Sequence, residues 1–499
     1  MYTTHTYQDW KMTPDHKRPE MLLDIIKHYK SSDEFHHSLV AMKYYNAENE
    51  AVGRKMQLKP QQFTVKKKVV TPSGNEVTEQ KTEVRNVQIE GNRVYSRFFF
   101  RIITQENQHL LGNGVKIREE KENGGATVKD RLGIGFDSAM QRIGEKALVC
   151  GVCWGYWNSD HIEVIDAVKD PSSGFVALVD EETSAPCLGV QFWQLSIDRP
   201  MYVRLFELDG LTVYRTDKDG QLVIYKPKRA YRQKIARDAL GVQIIGESNY
   251  SALPLVPLYA NPEHRSEFTN DIRSKIDAYD RIASDFVDNL DQANDIYWVL
   301  NNFGGNTAEI AQMLEQINKL RAVVNISDGT GSGSTAEPHT FEVPHEARNV
   351  ALQILEKQIY EDAMALNIKE ISGGSLTNVA IKASMTNLNL KCDRYEWQAF
   401  AFVQGVLRLI GVETESISFV RQTLVNQSEV VTDIAAMRED IDQETALRLN
   451  PYIMEEDIEG ILQRSAEERY TGMARYPPEE VMDDGQDDAS GGEDRAEDA

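Results

Sequence analysis

Between Ser266 and Gly411 the sequence reads helix, mixed insert, helix, Gly/Ser-rich turn and long helix, and no other stretch limits the fold as strongly. In SEFTNDIRSKIDAYDRIASDFVDNLDQANDIY, Phe268, Ile272, Ile276, Tyr279, Ala283, Phe286 and Leu290 recur at three- and four-residue steps. That spacing puts them on one stripe of an α-helix, about 25 residues and hence roughly 35 Å long at the α-helical rise. Asp271, Asp277, Asp280, Asp285, Asp288 and Asp291 fall mostly off the stripe. A second helix opens at Pro344, a residue suited to a first helical turn, with Ala347, Ala351, Ile354, Leu355 and Ile359 as its apolar stripe. The two helices flank an insert of under fifty residues, so the pattern predicts an antiparallel pair with the insert at its far end. The insert carries a strand-like IYWVLNNF, a turn at Gly304-Gly305, a short helix Thr307 to Leu320, the strands AVVNIS and HTFEV, and a flexible Gly/Ser linker from Asp328 to Thr335. The turn Ile371 to Asn378 leads into one long helix, expected from near Val379 to Gly411.

At 499 residues the chain exceeds one simple core, and several domains are expected. No apolar run is long enough to span a bilayer, and the polar start MYTTHTYQDWKMTPDHKRPE does not read as a secretory signal. Four cysteines are too few for a disulfide scaffold, so a reducing compartment is expected. The formal net charge of -23 excludes a protein that wraps nucleic acid by neutralising phosphates. Ten acids and one arginine lie in the last stretch, Glu479 to Ala499, which reads as a disordered tail; without it the charge is still about -14.

The N-terminal half alternates helical and strand-like segments. Leu22, Ile25, Ile26 and Tyr29 mark a short amphipathic helix, and a second is expected from Ser32 to Tyr45. Alternation at Phe63, Val65 and Val69-Val70, with Pro72-Ser-Gly-Asn75 as a turn, predicts a hairpin, with Lys66 to Lys68 charging an edge strand. Helices are expected over Arg93 to His109 and Phe136 to Val149, and a run of strands from Gly174 to Lys226. Ala252 to Tyr259 is extended, because two prolines three residues apart exclude a helix interior. The fold class is therefore α+β, with a mainly helical C-terminal part.

Chemical motifs are sparse. Cys150-Gly-Val-Cys153 is a CxxC, but no second pair or histidine cluster completes a zinc site. Its surroundings, KALVCGVCWGYW, favour two small buried residues over redox chemistry. Gly133-Ile-Gly135 lacks the third glycine of a nucleotide loop, and no GxxxxGK[ST], GxSxG or HExxH occurs. Asp277 and Asp280, at i,i+3, could hold Mg²⁺, but a solvated polar face is commoner. No catalytic residue, metal ligand or cofactor is assigned.

Several segments together resemble the portal proteins of tailed bacteriophages, of the siphophage type. They are NRVYSRFFFRIITQENQHLLGNGVKI, LPLVPLYANPE, SKIDAYDRIASDFVDNLDQANDIYWVLNNFGG, FEVPHEARNVALQILEKQIYEDA, SGGSLTNVAIKAS and NLNLKCDRYEW, spanning roughly residues 40 to 412. The resemblance implies an arm and α+β wing over 1–262, stem helices over 263–295 and 344–365, and a small α/β clip over 296–343. A tunnel loop over 366–378 would lead into a long helix over 379–412, a helical crown over 413–476 and the acidic tail over 477–499. It implies a homo-oligomeric ring of about twelve subunits at one capsid vertex. The ring would be a virion component assembled in the host cytoplasm, a conduit for double-stranded DNA in packaging and ejection. It would dock the terminase large subunit, then head-completion and adaptor proteins, and contact major capsid and scaffolding proteins, with no membrane. Ser372, Gly373, Gly374, Ser375, Leu376, Thr377, Asn378 and Lys382 would face DNA. Asp271, Asp277, Asp280, Asp285 and Asp288 would line the channel or a subunit contact, and Asn306, Glu309, Lys319 and Arg321 would serve clip docking. An acidic wall suits a conduit, since tight phosphate contacts would hold the DNA, and Gly373-Gly374 would let the loop move. A different head–tail adaptor or scaffold ring, or an enzyme built on Cys150/Cys153 or Gly133/Gly135, are the competing readings.

Overall fold

The computed structural model describes residues 5–52, 56–70, 76–118, 127–238, 241–293, 297–301, 335–339, 345–371, 378–413, 416–421, 427–437, 441–450, 453 and 458–475. The chain divides into two compact units, 1–373 with 384–423, and 374–383 with 424–499.

The larger unit opens with α1 (Tyr7–Met12), α2 (Arg18–Lys30) and α3 (Asp33–Tyr45). A capping box between Thr6 and Asp9 starts α1, and Ser32 caps α3 by accepting from the Phe35 backbone N–H. Strands β1 (Met56–Val70) and β2 (Glu76–Glu90) pair antiparallel from Met56↔Glu90 to Val70↔Glu76, a hairpin roughly 50 Å long at the strand rise. The next helix, α4 (Phe98–Leu111), begins five residues after the Arg93 start that its apolar pattern predicts. Residues 91–97 are instead extended.

β3 (Val115–Arg118), α5 (Val128–Leu132) and α6 (Phe136–Cys150) follow. The Gly133-Ile-Gly135 sequence is the junction between these last two helices. Gly133 closes α5 at φ +84°, where only glycine is unstrained, and Ile134 lies fully exposed, so the pair makes a turn. Next come β4 (Val152–Asn158) and β5 (His161–Asp166). β6 (Val168–Asp170), β7 (Ser173–Val179), β8 (Pro186–Trp193), β9 (Tyr202–Glu207), β10 (Gly210–Thr216) and β11 (Leu222–Arg229) form a six-stranded meander in sequence order. β12 (Arg232–Asp238) and β13 (Gly241–Ser248) make a separate hairpin. β14 (Leu255–Tyr259), the proline-punctuated segment, returns to pair with β4 in a three-stranded sheet ordered β14-β4-β5. A mixed helix and sheet fold, α+β, is thus what the chain adopts.

The helical pair is α7 (Asn270–Ala293) and α8 (His345–Asp362). β15 (Tyr297–Asn301) and β16 (Thr335–His339) pair antiparallel between them in sequence. The closing strand therefore precedes HTFEV, of which only His339 belongs to β16, and residues 340–344 lie outside the described set. A short α9 (Ile368–Ile371) follows, then α10 (Asn378–Ser384) and α11 (Thr386–Ile410). The single long helix expected from Val379 is interrupted at Met385, whose side chain is buried. α11 ends at Gly411, left-handed at φ +69°. β17 (Ser416–Phe419) then pairs with β3.

Two cores hold this unit. One gathers Phe98, Phe99, Ile102, Ile143, Leu148, Trp154, Phe268, Tyr395, Phe402 and Val406 between α4, α6, α11 and the three-stranded sheet. Gly155 lets α11 approach, since a Cβ there would stand 2.7 Å from the Phe402 ring. The other core packs Trp10, Leu22, Ile25 and Phe35 on Val176, Val190 and Leu205 of the meander. The smaller unit contains nearly all of α10 together with α12 (Gln427–Ala436), α13 (Gln443–Leu449) and α14 (Ile458–Arg475). Asp442 caps α13 by accepting from Thr445 N–H, and Gln443 donates to Ser465 Oγ on α14 at 2.9 Å. Among the described residues no helix is long and apolar enough to cross a membrane.

Candidate functional site

α7 and α8 run antiparallel. Lys275 pairs with Asp362, while ten residues further along α7 the Asp285 carbonyl accepts from Arg348 Nη1 at 3.2 Å. Phe98, the first residue of α4, is wedged at their base. Its ring lies edge-on to Tyr279 of α7 at 4.9 Å and to Tyr360 of α8 at 5.9 Å between centroids. Phe268, Ile272 and Ile276 are buried as the apolar stripe predicts, whereas Leu290 near the other end is 44 % exposed.

The opposite expectation, that the aspartates stand off the buried faces, fails for two of them. Asp280 and Asp288 are buried together with Ser284. They receive the extended segment 91–97 as a strap. Asn92 N–H donates to Asp288 Oδ1 at 2.7 Å, Val94 N–H to Ser284 Oγ at 3.0 Å, and Ser96 N–H to Asp280 Oδ1 at 3.0 Å. Alternate residues of an extended chain are about 6.6 Å apart, and residues four apart on a helix about 6 Å. The two repeats match closely enough for three successive strap N–H groups to meet three successive turns of α7. Among the described residues these N–H groups find no strand partner, so side-chain acceptors supply the bonds that buried backbone needs. Asp280 also accepts from Asn49 Nδ2, Asp277 accepts from Tyr44 OH, and Asp291 accepts from Asn92 Nδ2 at 2.6 Å. Burial pushes the Asp280 carboxyl above its ordinary range, partly offset by its bonds from Asn49 and Ser96. Burial and the neighbouring Asp277 carboxylate both push the Tyr44 phenol up. Asp277 and Asp280 are thus engaged by protein donors, and Asp280 is buried rather than on the solvated polar face expected for the pair.

A second polar cluster ties the base of the helical pair to α11. Lys391 Nζ lies 2.8 Å from Glu106 of α4 and 3.1 Å from Glu267, just ahead of α7. Burial pushes the Glu106 carboxyl up to about 7. Burial alone would lower the Lys391 ammonium, but Glu106 and Glu267 raise it overall. Arg394, one turn on, makes a two-pronged contact with Glu263 at 2.6 and 2.7 Å. The motif signal missed this triad, because its three members lie far apart in sequence and no local spacing links them.

Of the residues singled out from sequence, Asp271 and Asp285 are exposed on α7 and Asp277 is half-buried. Lys382 is exposed on α10, and Asn378 is the first residue of that helix. Ser372, Gly373, Gly374, Ser375, Leu376 and Thr377 lie outside the described residues, as do Asn306, Glu309, Lys319 and Arg321. Cys150 and Cys153 are free thiols, and burial pushes the first up to about 12 and the second well above its ordinary value, so neither is poised as a thiolate. The strap could have been found from sequence by asking what Asp280, Ser284 and Asp288, polar at i, i+4 and i+8, bind.

Residues 25–470 match the family model described as "Phage portal protein, SPP1 Gp6-like". A portal protein of Bacillus phage SPP1 is 24% identical over 433 residues, covering 82% of this chain and 81% of that protein. A portal protein of Clostridium phage phiCD119 is 26% identical over 246 residues, covering 48% of this chain. The match spans about half the length of this second relative, 52%.

Proposed function

The chain belongs to the phage portal protein family, and from that premise we propose that it assembles into a ring at one capsid vertex and passes double-stranded DNA. The match over residues 25–470 carries this reading, because it includes the wing, the helical pair and most of the C-terminal helices. In the proposed ring, α7 and α8 are the stem and the segment around β15 and β16 is the clip. The clip, with Asn306, Glu309, Lys319 and Arg321, docks the terminase large subunit and later the head-completion and adaptor proteins. Residues 366–378 are the tunnel loop, with Ser372 to Asn378 and Lys382 touching phosphates transiently. The exposed carboxylates Asp271 and Asp285 face the channel or the next subunit, while Asp280 and Asp288 act inside the subunit. The protein works as a structural conduit, and its place is the virion.

The antiparallel pairing of α7 with α8 supports the stem assignment, since a rigid hairpin can stand as one stave of a barrel wall. The net charge of -23 supports a wall that repels phosphates. Electron microscopy of the purified chain tests the reading directly. Rings with a central hole are expected; compact monomers at micromolar concentration, or ATP turnover without a partner, would overturn it. Replacing Gly373-Gly374 with Val-Val is expected to leave rings intact and impair DNA packaging, and unchanged packaging would displace the constriction from this loop.

A further inference from the structure

Near the start of the chain, His5, Asp24 and His28 converge. His5 Nε2 lies 2.7 Å from Asp24 Oδ2, and His28 Nε2 lies 3.6 Å from Asp24 Oδ1. Among the described residues this is the one group of three His, Cys, Asp or Glu side chains whose donor atoms all fall within 4.8 Å of one another. Asp24 and His28 sit four residues apart on α2, so a rigid helix fixes two donors on one face. His5 comes from the segment ahead of α1, nineteen residues away, and its ring meets that of His28 edge-on at 5.7 Å.

We propose that His5, Asp24 and His28 form a binding site for a first-row divalent transition metal, Zn²⁺ by preference, which staples the N-terminal segment to α2. Two imidazoles and one carboxylate are borderline ligands that suit zinc, nickel or copper and discriminate against magnesium and calcium. Tetrahedral zinc with bonds of about 2.0–2.2 Å needs donors about 3.4 Å apart. The present separations bracket that value, so small side-chain rotations close the site. On binding, His5 exchanges its hydrogen bond to Asp24 for the metal, and the Nε2 proton, where present, is released or shifts to Nδ1. Asp24 and His28 are exposed and His5 half-buried, which leaves room for water as the fourth ligand.

The staple has mechanical sense. The far end of α1 is already fastened, with Trp10 buried on the meander and donating to Glu207 Oε1 at 3.3 Å, and with Thr13 Oγ1 donating to Met21 Sδ at 3.2 Å. His5, in the non-helical segment ahead of α1, is only half-buried and rests on Asp24 of α2 by a hydrogen bond. A metal there fastens both ends of α1.

The test is zinc titration of the chelator-treated full chain by calorimetry, with melting followed in parallel. One tight site per chain and a melting temperature raised by a few degrees are expected. In the double variant His5→Gln, His28→Gln the tight phase and the melting shift should both vanish. The eight remaining histidines supply the weak background against which that loss is read. Asp24→Asn alone should weaken the tight site at least tenfold. Absence of a tight phase in the parent chain, or its persistence in the double variant, overturns the proposal. Both variants lie outside the helical pair, so ring formation is a separate readout, and failure of the metal site leaves the portal reading untouched.

Discussion

α7 and α8 look alike as sequences and behave in opposite ways. α7 buries polar side chains, with Asp280, Ser284 and Asp288 all inside the subunit. α8 exposes apolar ones, with Val350 and Ile354 each about half exposed and only Ile359 and Tyr360 buried. The difference lies in what each helix meets. α7 meets on one side a strap of backbone that needs acceptors, so its carboxylates and hydroxyl go inward. α8 meets mainly α7 and the Phe98 wedge, which cover its last turns and leave Val350 and Ile354 uncovered. A buried polar row marks a partner within the chain, and in the proposed ring an uncovered apolar row is where a neighbouring subunit would sit.

The contrast can be broken in graded steps. Asp280→Leu should cost the most, about 3 kcal/mol, because the Ser96 N–H and Asn49 amide lose a buried charged acceptor. Urea unfolding of the larger unit measures it, and a loss under about 1 kcal/mol would mean that the ladder does not hold the strap. Next is Glu106→Gln at the base. The folded carboxyl holds its proton to about 7, against an ordinary 4.5. Between those values the folded state binds a proton that the unfolded state releases, so this group's contribution to stability falls as pH rises from 4.5 to 7. The variant should flatten that slope, which is on the order of 1–3 kcal/mol; an unchanged melting profile against pH would refute the assignment.

Tyr44→Phe removes the hydroxyl that donates to Asp277 and should cost about 1 kcal/mol in the same urea assay. Lys275→Met, which opens the exposed pair with Asp362, should cost only about 0.5 kcal/mol. Val350→Gln with Ile354→Gln should move stability least, within about 0.5 kcal/mol. That pair should nevertheless reduce self-association in sedimentation velocity. Normal association would remove the subunit-contact reading of the α8 face.

Much of this arrangement is local and therefore readable in the chain itself. Apolar residues at three- and four-residue steps define both helices, because a helix repeats every 3.6 residues whatever surrounds it. Prolines place β14, and a short insert fixes the antiparallel sense of the pair. The CxxC reads as packing rather than chemistry, since its apolar flanks are visible in the sequence; Cys153 is buried as expected, whereas Cys150 is only partly buried against the core.

What sequence by itself determined was therefore the α+β class, the helical pair and the strand run of the N-terminal half, the acidic charge and the absence of common catalytic motifs; the expected insert helix Thr307 to Leu320 and strand AVVNIS lie outside the described residues. Tertiary structure alone decided that Arg93 to Arg97 is a strap rather than the first turn of α4. Propensity favours extending that helix, but three N–H groups gain buried acceptors only if the segment stays extended. It likewise decided which aspartates of α7 face inward, because the matching repeat belongs to a segment almost two hundred residues earlier. It also brought Glu106, Glu267 and Lys391 together. No local rule can report such pairings, since their free energy comes from desolvated contacts between residues that the chain itself keeps far apart.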